Sequence, residues 1–417
     1  MQPTRFLSFW LVCLCLTAGL CSCGGSSGSG GDAPPAGFET FQLANLVIGQ
    51  GLFSAGTENA GRGTGDPGDI AGDGMVSPVG NAAIINSLLY IPDSGNNRIL
   101  GFDTLPNLNG TAADFALGQN DLASGSTGSG SGQLTAPQTV KATASQLFVT
   151  DTDNNRLLIW NSLPAESGAA ADLVVGQAGF GFNLPGVAAN RLTAPASCFV
   201  VDNRLIIADR GNHRVLIWNN IPAADGVDAD LVLGQSDFAH NAANDDNQDG
   251  AQDITPSART LNTPSDIWSD GNRLIVADSG NNRVLIWDTF PAENFAPAST
   301  VIGQPDMSSD TAGISATELN APLALAGDGQ QLFIADRNNH RVMIWETLPD
   351  TDFAAADVVL GQSDFTHNTA NDDNQDGVDD GQPSARTLKL PAGIELVGKL
   401  LLVSDTGNHR ALLFQGL

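Results

Sequence analysis

Two stretches of this chain carry side-chain oxygens at a spacing that suits a cation. Asp245-Asp-Asn-Gln-Asp-Gly250 with Asp253, and Asp372-Asp-Asn-Gln-Asp-Gly377 with Asp380, both read Asp-x-Asn-x-Asp-Gly-x-x-Asp. Hard oxygen ligands at alternate positions wrap one cation, and Gly at the sixth position permits a sharp bend; these are the first nine positions of an EF-hand-type calcium loop. The expected ligands are Asp245, Asn247, Asp249 and Asp253 in one loop and Asp372, Asn374, Asp376 and Asp380 in the other, with Ca2+ as the cofactor. Position twelve, where a bidentate Glu belongs, is Pro256 or Pro383. The loops are therefore incomplete as EF-hands, need no flanking helices, and stand closer to the short Asp-rich calcium loops of extracellular proteins. The competing reading is a solvated acidic loop copied together with its surroundings. His240 and His367 precede the loops at matched positions and are not expected to be ligands. A third long connection holds Asp66, Asp69 and Asp73 without the spacing.

A second pattern recurs six times: Asp, any two residues, Asn, then Asn or His, then Arg. Its ends are Asp93 and Arg98, Asp151 and Arg156, Asp209 and Arg214, Asp278 and Arg283, Asp336 and Arg341, and Asp405 and Arg410. In Asp278-Ser-Gly-Asn-Asn-Arg283 the Asp can accept backbone N–H groups across a turn, and the Arg can pair with a nearby carboxylate. Gly280 or Asn281 is expected to take the positive φ of a tight hairpin. Six equal copies cannot be six active sites, so the set is expected to maintain the fold. The His at 213, 340 and 409 are read in the same way, as hydrogen-bonded turn residues rather than metal ligands.

Catalytic sets are scarce. No Ser/His/Asp arrangement, Cys/His pair, zinc spacing or phosphate loop is found, and no catalytic residue is assigned. Residues two places after the Pro that opens each repeat would line a central channel; they are Gly80, Thr139, Ser197, Asp266, Ala324 and Gly393, only one of them acidic. A convergent cluster of acidic and amide side chains there would favour an enzyme. An unremarkable channel beside a broad exposed face would favour a binding platform.

The elements that position these residues follow from the spacing. Successive motif Asp residues lie 58, 58, 69, 58 and 69 residues apart, which marks a repeat architecture. Each unit holds four short aliphatic segments bounded by Gly, Asn, Pro and Asp. In the third they are 195–201, 204–209, 214–218 and 230–235. Helical periodicity is absent, so the segments read as antiparallel strands and the chain as an all-β, six-bladed β-propeller. A Gly-Gln pair ends the fourth segment at Gln50, Gln119, Gln177, Gln235, Gln304 and Gln362. The first copy precedes the first complete blade, and the last blade stops after its third segment near Phe414. The strand around Leu46 is therefore expected to complete the last sheet and remove a free edge. Trp160, Trp218, Trp287 and Trp345 end third strands, as Phe102 and Phe414 do elsewhere, and are expected to pack between blades. From Gly-Gln to the next Pro the connection is 18 residues in three places and 28 or 29 in the other three. Strand order places these connections and the Asp-Asn-Arg turns on one face.

The aliphatic–Asp-x-x-Asn-His/Asn-Arg–aliphatic pattern resembles the NHL repeat, over residues 38–417 and in all six units. The resemblance implies a six-bladed propeller used mostly as a binding platform. The repeats are longer than usual for that family because the connections are long. Some propellers of related fold are enzymes, so a calcium-dependent hydrolase or lyase stands as the alternative function, and a structural envelope or matrix protein as a third.

Composition bounds the partners. The chain has 417 residues, 41% of them apolar, and a net charge of −28 with only three lysines. Such a surface repels phosphate backbones and anionic headgroups, so no nucleic-acid partner is expected. Residues 1–22 read as an export signal: Arg5, then an apolar stretch too short to span a bilayer. Leu20-Cys-Ser-Cys23 resembles the bacterial lipoprotein cleavage box, which implies lipidation of Cys23, and residues 23–37 read as a flexible Gly/Ser/Pro tether. The expected protein is exported and lipid-anchored in the bacterial cell envelope, at the outer membrane or cell surface. It is expected to be monomeric, to meet membrane through its anchor alone, and to bind a protein or polysaccharide on one propeller face. Cys198 is the one cysteine in the repeat region and reads as a small core residue.

Overall fold

The computed structural model of the protein describes residues 37–59 and 70–417. The leader, Cys23 and the tether up to residue 36 lie outside them. The described chain forms six four-stranded antiparallel sheets. Blade 3 is representative, with strands Ser197–Val201, Arg204–Asp209, Arg214–Trp218 and Leu231–Leu233 from the axis outward.

Its apolar runs are continuous because both faces of the sheet are covered, and alternation then sorts them between two seams. Leu205, Ile207, Leu216 and Trp218 pack with Phe148, Leu157 and Ile159 of blade 2. Ile206, Ala208, Val215 and Ile217 pack with Val276, Leu285 and Trp287 of blade 4. The strand-ending tryptophans thus pack between blades, and their indole N–H groups are satisfied; Trp218, for instance, donates to the Val227 carbonyl at 3.1 Å. Cys198 is buried in the same seam.

The ring closes as the sequence implies. Leu46–Ile48 pairs with the third strand of blade 6, in the register Leu46↔Leu413, Val47↔Leu412 and Ile48↔Ala411. The imitation of an internal blade extends to the turn: Asn45 Oδ1 accepts the Gln415 N–H at 2.8 Å, as Asp230 Oδ2 accepts that of Asn219.

The six outer strands are not open edges. The middle residue of each donates its N–H to a side-chain oxygen carried by the loop of the next blade. Val47 gives to Asn109, Ala116 to Ser167, Val174 to Asp225, Val232 to Asn294, Val301 to Asp352 and Val359 to Thr40. A partner strand cannot add where this donor is already used.

Candidate functional site

Each Asp-to-Arg motif forms a single turn of 3-10 helix between the second and third strands. In blade 4 this is Ser279–Asn281, closed by Asn282 in the left-handed conformation at φ 53°. The positive φ therefore falls on the fifth motif residue, not on Gly280 or Asn281 as the sequence suggested. Gly280 is needed for a different reason: a Cβ there would lie 2.6 Å from Asn262 and Thr263 side-chain atoms and 2.7 Å from the Asn262 carbonyl. In this blade the turn presses against the incoming interblade connection and Gly leaves room for it, whereas blades 2 and 5 carry Asp153 and Asn338 at the same place.

The motif side chains hold that connection. Asp209 Oδ1 accepts the Thr193 N–H at 2.7 Å, while Oδ2 accepts from Asn212 and from Arg214 Nε, each at 2.7 Å. The Arg214 Nη atoms then reach carbonyls of two connections, Ala188 and Arg191 before the blade and Phe238 after it. The same Nε–carboxylate pair, at 2.7 Å and fully buried, recurs at Asp93–Arg98, Asp151–Arg156, Asp278–Arg283, Asp336–Arg341 and Asp405–Arg410. Burial pushes the Asp151 carboxyl up to about 6, with Arg156 and three hydrogen bonds pulling the other way. These twelve residues are structural clamps with no face left for a ligand.

The Asn or His at the fifth position has one role in all blades. Its side chain accepts the N–H of the residue before the Pro that opens the next blade: Asn155 Oδ1 from Ala194 at 2.8 Å, His213 Nδ1 from Thr263 at 3.0 Å, and His340 Nδ1 from Leu390 at 3.0 Å. An Nδ1 that accepts must be unprotonated. Accordingly, burial holds His213, His340 and His409 below the ordinary histidine value. Gln of each Gly-Gln pair completes the set, with Gln177 Nε2 donating to the Asn155 and Leu184 carbonyls at 2.8 and 3.0 Å.

The axle gathers an acid, an amide and hydroxyls, which sequence reasoning put forward as the mark of an enzyme. Asp266 of blade 4 accepts from Ser197 Oγ of blade 3 at 2.5 Å, from the Leu325 N–H of blade 5 at 2.6 Å and from Asn81 Nδ2 of blade 1 at 2.8 Å. Asn81 Oδ1 accepts the Ile394 N–H of blade 6 at 2.8 Å, and its carbonyl accepts the Val140 N–H of blade 2 at 2.8 Å. The two side chains thus tie five of the inner strands across the axis, and the Asn81 backbone carbonyl adds the sixth. Burial pushes the Asp266 carboxyl up, against the Lys141 charge and its own donors. Nothing in the cluster is free to act on a substrate. The pit above it has a volume of only about 10 Å3, near the minimum for one water. Farther along the axle Lys141 Nζ meets Glu395 Oε2 at 2.7 Å. Asn81 stands three residues after its Pro, one place beyond the position that Asp266 occupies in blade 4, so the repeat spacing points to Gly80 instead.

The acidic loops lie on the turn face. Asn244 and Asn371, just ahead of them, exchange amide hydrogen bonds with the motif residues Asn281 and Asn408. Asp245 Oδ1 and Oδ2 accept the Asp249 and Gly250 N–H groups at 3.0 and 2.9 Å, and Asp253 Oδ2 accepts that of Asp246 at 3.0 Å. Asn247 Oδ1 shares the Asp249 N–H, while Asp249 Oδ1 turns to the Ala251 N–H. The second loop repeats this at Asp372, Asn374, Asp376 and Asp380. Among the described residues no three His, Cys, Asp or Glu side chains form a metal-sized group. His240 and His367 bond Asp237 and Asp364 at 2.7 and 2.8 Å, in the way Ser309 bonds Asp306, so they are local caps.

No family model matches the chain, and no curated protein is similar to it. Among solved structures it is similar to hydrazine synthase of Kuenenia stuttgartiensis, at 11% identity and TM-score 0.44, over 82% of this chain and 96% of that one. It is also similar to a streptogramin B lyase, at 9% identity and TM-score 0.44 over 82% and 94%. A chain of a nidogen/laminin complex follows at 14% identity and TM-score 0.36, over 67% and 77%. These likenesses are shallow, and the fold rests on the strand pairing itself.

Proposed function

We propose that this protein is an NHL-type binding platform, exported and lipid-anchored through Cys23, that presents its turn face to a protein or polysaccharide. The observation that carries the reading is that the axle and the sheet edges are used up. The axle is closed by Asp266 and Asn81 with about 10 Å3 above them, and the outer strand edges are capped from the next blade. A face built of six fixed turns and three long connections remains. Large, rigidly supported loops on a propeller suit recognition more than chemistry. The same closure weighs against the hydrolase or lyase alternative, because the convergent acid and amide of the axle bond each other.

Calcium belongs to this proposal as a stiffener of the long loops. The donor set is of the kind a hard cation takes: Asp245 Oδ1 and Asn247 Oδ1 share the Asp249 N–H, and Asp253 Oδ1 accepts from Asn247 Nδ2 beside them. Binding would require Asp249 to release the Ala251 N–H. Calorimetric titration of the mature protein with calcium tests this, and absence of heat at millimolar calcium ends it. For the anchor, fatty-acid labelling should be abolished by Cys23→Ser. For the platform, pull-down from envelope extracts with and without chelator should return a partner whose retention is lost when the 245–253 loop is replaced by a short connection.

A further inference from the structure

In a repeat protein the informative residues are those that break the pattern without a structural gain. The second motif position is such a case. In four blades it is Ser or Thr, and its hydroxyl donates to the carbonyl of the Pro that opens the next blade. Ser94 gives to Pro137 at 2.6 Å, Thr152 to Pro195 at 2.8 Å, Ser279 to Pro322 and Thr406 to Pro78. In blades 3 and 5 the position is Arg210 or Arg337. Pro264 and Pro391 lack the hydroxyl donor as a result.

These arginines are unlike the rest. Both are half-buried. Among the described residues neither forms an ion pair, although the chain holds 46 carboxylate side chains against 18 Lys and Arg. The Arg337 side chain bonds only the neighbouring Asn338 amide, and the Arg210 side chain makes no hydrogen bond; Asp153 acts on it from a distance. Burial lowers both guanidinium groups from their ordinary value. A partly desolvated guanidinium with no carboxylate in contact costs stability, and here it also replaces a useful hydrogen bond. In the other blades this position reaches the start of the next inner strand, and the two arginines stand in the turns of the blades on either side of blade 4.

We infer that Arg210 and Arg337 bind an oxyanion, a carboxylate or a sulfate, carried by the ligand of the turn face. Guanidinium forks suit both groups. The net charge of −28 restricts the ligand further. A polyanion is strongly repelled at long range, whereas one oxyanion on an otherwise neutral body, such as an acidic sugar unit in a neutral glycan, is repelled far less. The inference rests on the turn face being the binding surface.

The test is calorimetric titration of the mature protein with glucuronate, with inorganic sulfate, and with glucose as the neutral control. Wild type is expected to bind at least one oxyanion saturably and glucose not at all. Arg210→Ser and Arg337→Ser should each weaken binding by about tenfold or more, the loss of a charge-assisted contact. Because Ser restores the hydroxyl, both variants should melt no lower than wild type. Binding of glucuronate alone identifies a carboxylate, and of sulfate alone a sulfate ester. The inference is overturned if neither oxyanion binds, if glucose binds equally, or if the variants lose thermal stability and keep their affinity. A partner retained equally by wild type and both variants would leave the platform standing and end the oxyanion reading.

Discussion

Replacing Asp209 by Ala should be among the most damaging single changes in the protein. The carboxylate accepts from Arg214, Asn212 and the Thr193 backbone, and both members of the ion pair are fully buried. Its removal leaves a buried guanidinium without counter-charge, worth about 3–5 kcal/mol. It also orphans the Thr193 N–H and one Asn212 donor, at about 1–3 kcal/mol each if water cannot reach them. The terms are not additive, since one network holds all three donors. The expected loss is about 4 kcal/mol or more, a large part of the roughly 5–15 kcal/mol by which a folded domain is typically stable. Urea unfolding followed by tryptophan fluorescence reads it as a fall in midpoint at unchanged slope. Glu293→Gln, at an exposed loop carboxylate, serves as the control and should stay within about 0.5 kcal/mol. A loss below about 1 kcal/mol for Asp209→Ala would mean that the clamps do not hold the blades, and the structural reading of all six motifs would fail with it.

Three further outcomes follow from the same geometry. His213, His340 and His409 have depressed values in the fold, so the unfolded chain takes up protons first. Their contribution is complete above the unfolded value of about 6.5 and is lost as pH falls below it. Unfolding midpoints should drop from about pH 8 to about pH 5.5, and a triple His→Asn variant should show a flatter acid limb; equal slopes would contradict the accepting Nδ1. The Cys198 thiol, pushed up to about 12 mainly by burial, should resist iodoacetamide at about pH 8 in the native protein and react once urea unfolds it. Labelling of the native state would place it outside the blade 2–blade 3 seam. Asp266→Ala should destabilise by about 3 kcal/mol or more, because donors from Ser197, Asn81 and Leu325 lose their common acceptor. Thermal melting within a degree of wild type would show that the axle is not held by this residue.

The fold could be read from the sequence because its causes are local and repeated. Apolar runs of strand length, Gly-Gln stops and the Asp-Asn-Arg frame each state where a strand ends. The displaced copy at Gln50 states how the ring closes, and Leu46 does pair with Leu413. What could not be read depends on residues far apart in sequence meeting across the ring. Asp266 was visible as the one acid among the channel positions. That Asn81, 185 residues away, spends one of its oxygens was not. The φ assignment failed for a related reason. Gly is the usual residue at positive φ, but Gly280 serves the close approach of Asn262 from the incoming connection instead.

The choice between Asn and His at the fifth motif position has a physical cause that joins sequence to loop path. Asn97, Asn155 and Asn282 stand before 18-residue connections, and His213, His340 and His409 before those of 28 or 29. Asn uses both ends of its amide: Oδ1 accepts from the residue ahead of the next Pro, and Nδ2 donates to a carbonyl of the short connection. Asn97 reaches Gly125, Asn155 reaches Asn183 and Asn282 reaches Asp310, at 2.9, 2.9 and 2.8 Å. A longer connection leaves by another route and takes that carbonyl away. An amide would then keep its acceptor bond and strand its donor. Neutral imidazole places an acceptor the same number of bonds from Cα, with a single N–H on the far side of the ring to satisfy in place of the two on the amide. The long connections are therefore not free insertions on an indifferent scaffold: each is matched by the residue in the turn beneath it, as expected if the turn face is built to carry them.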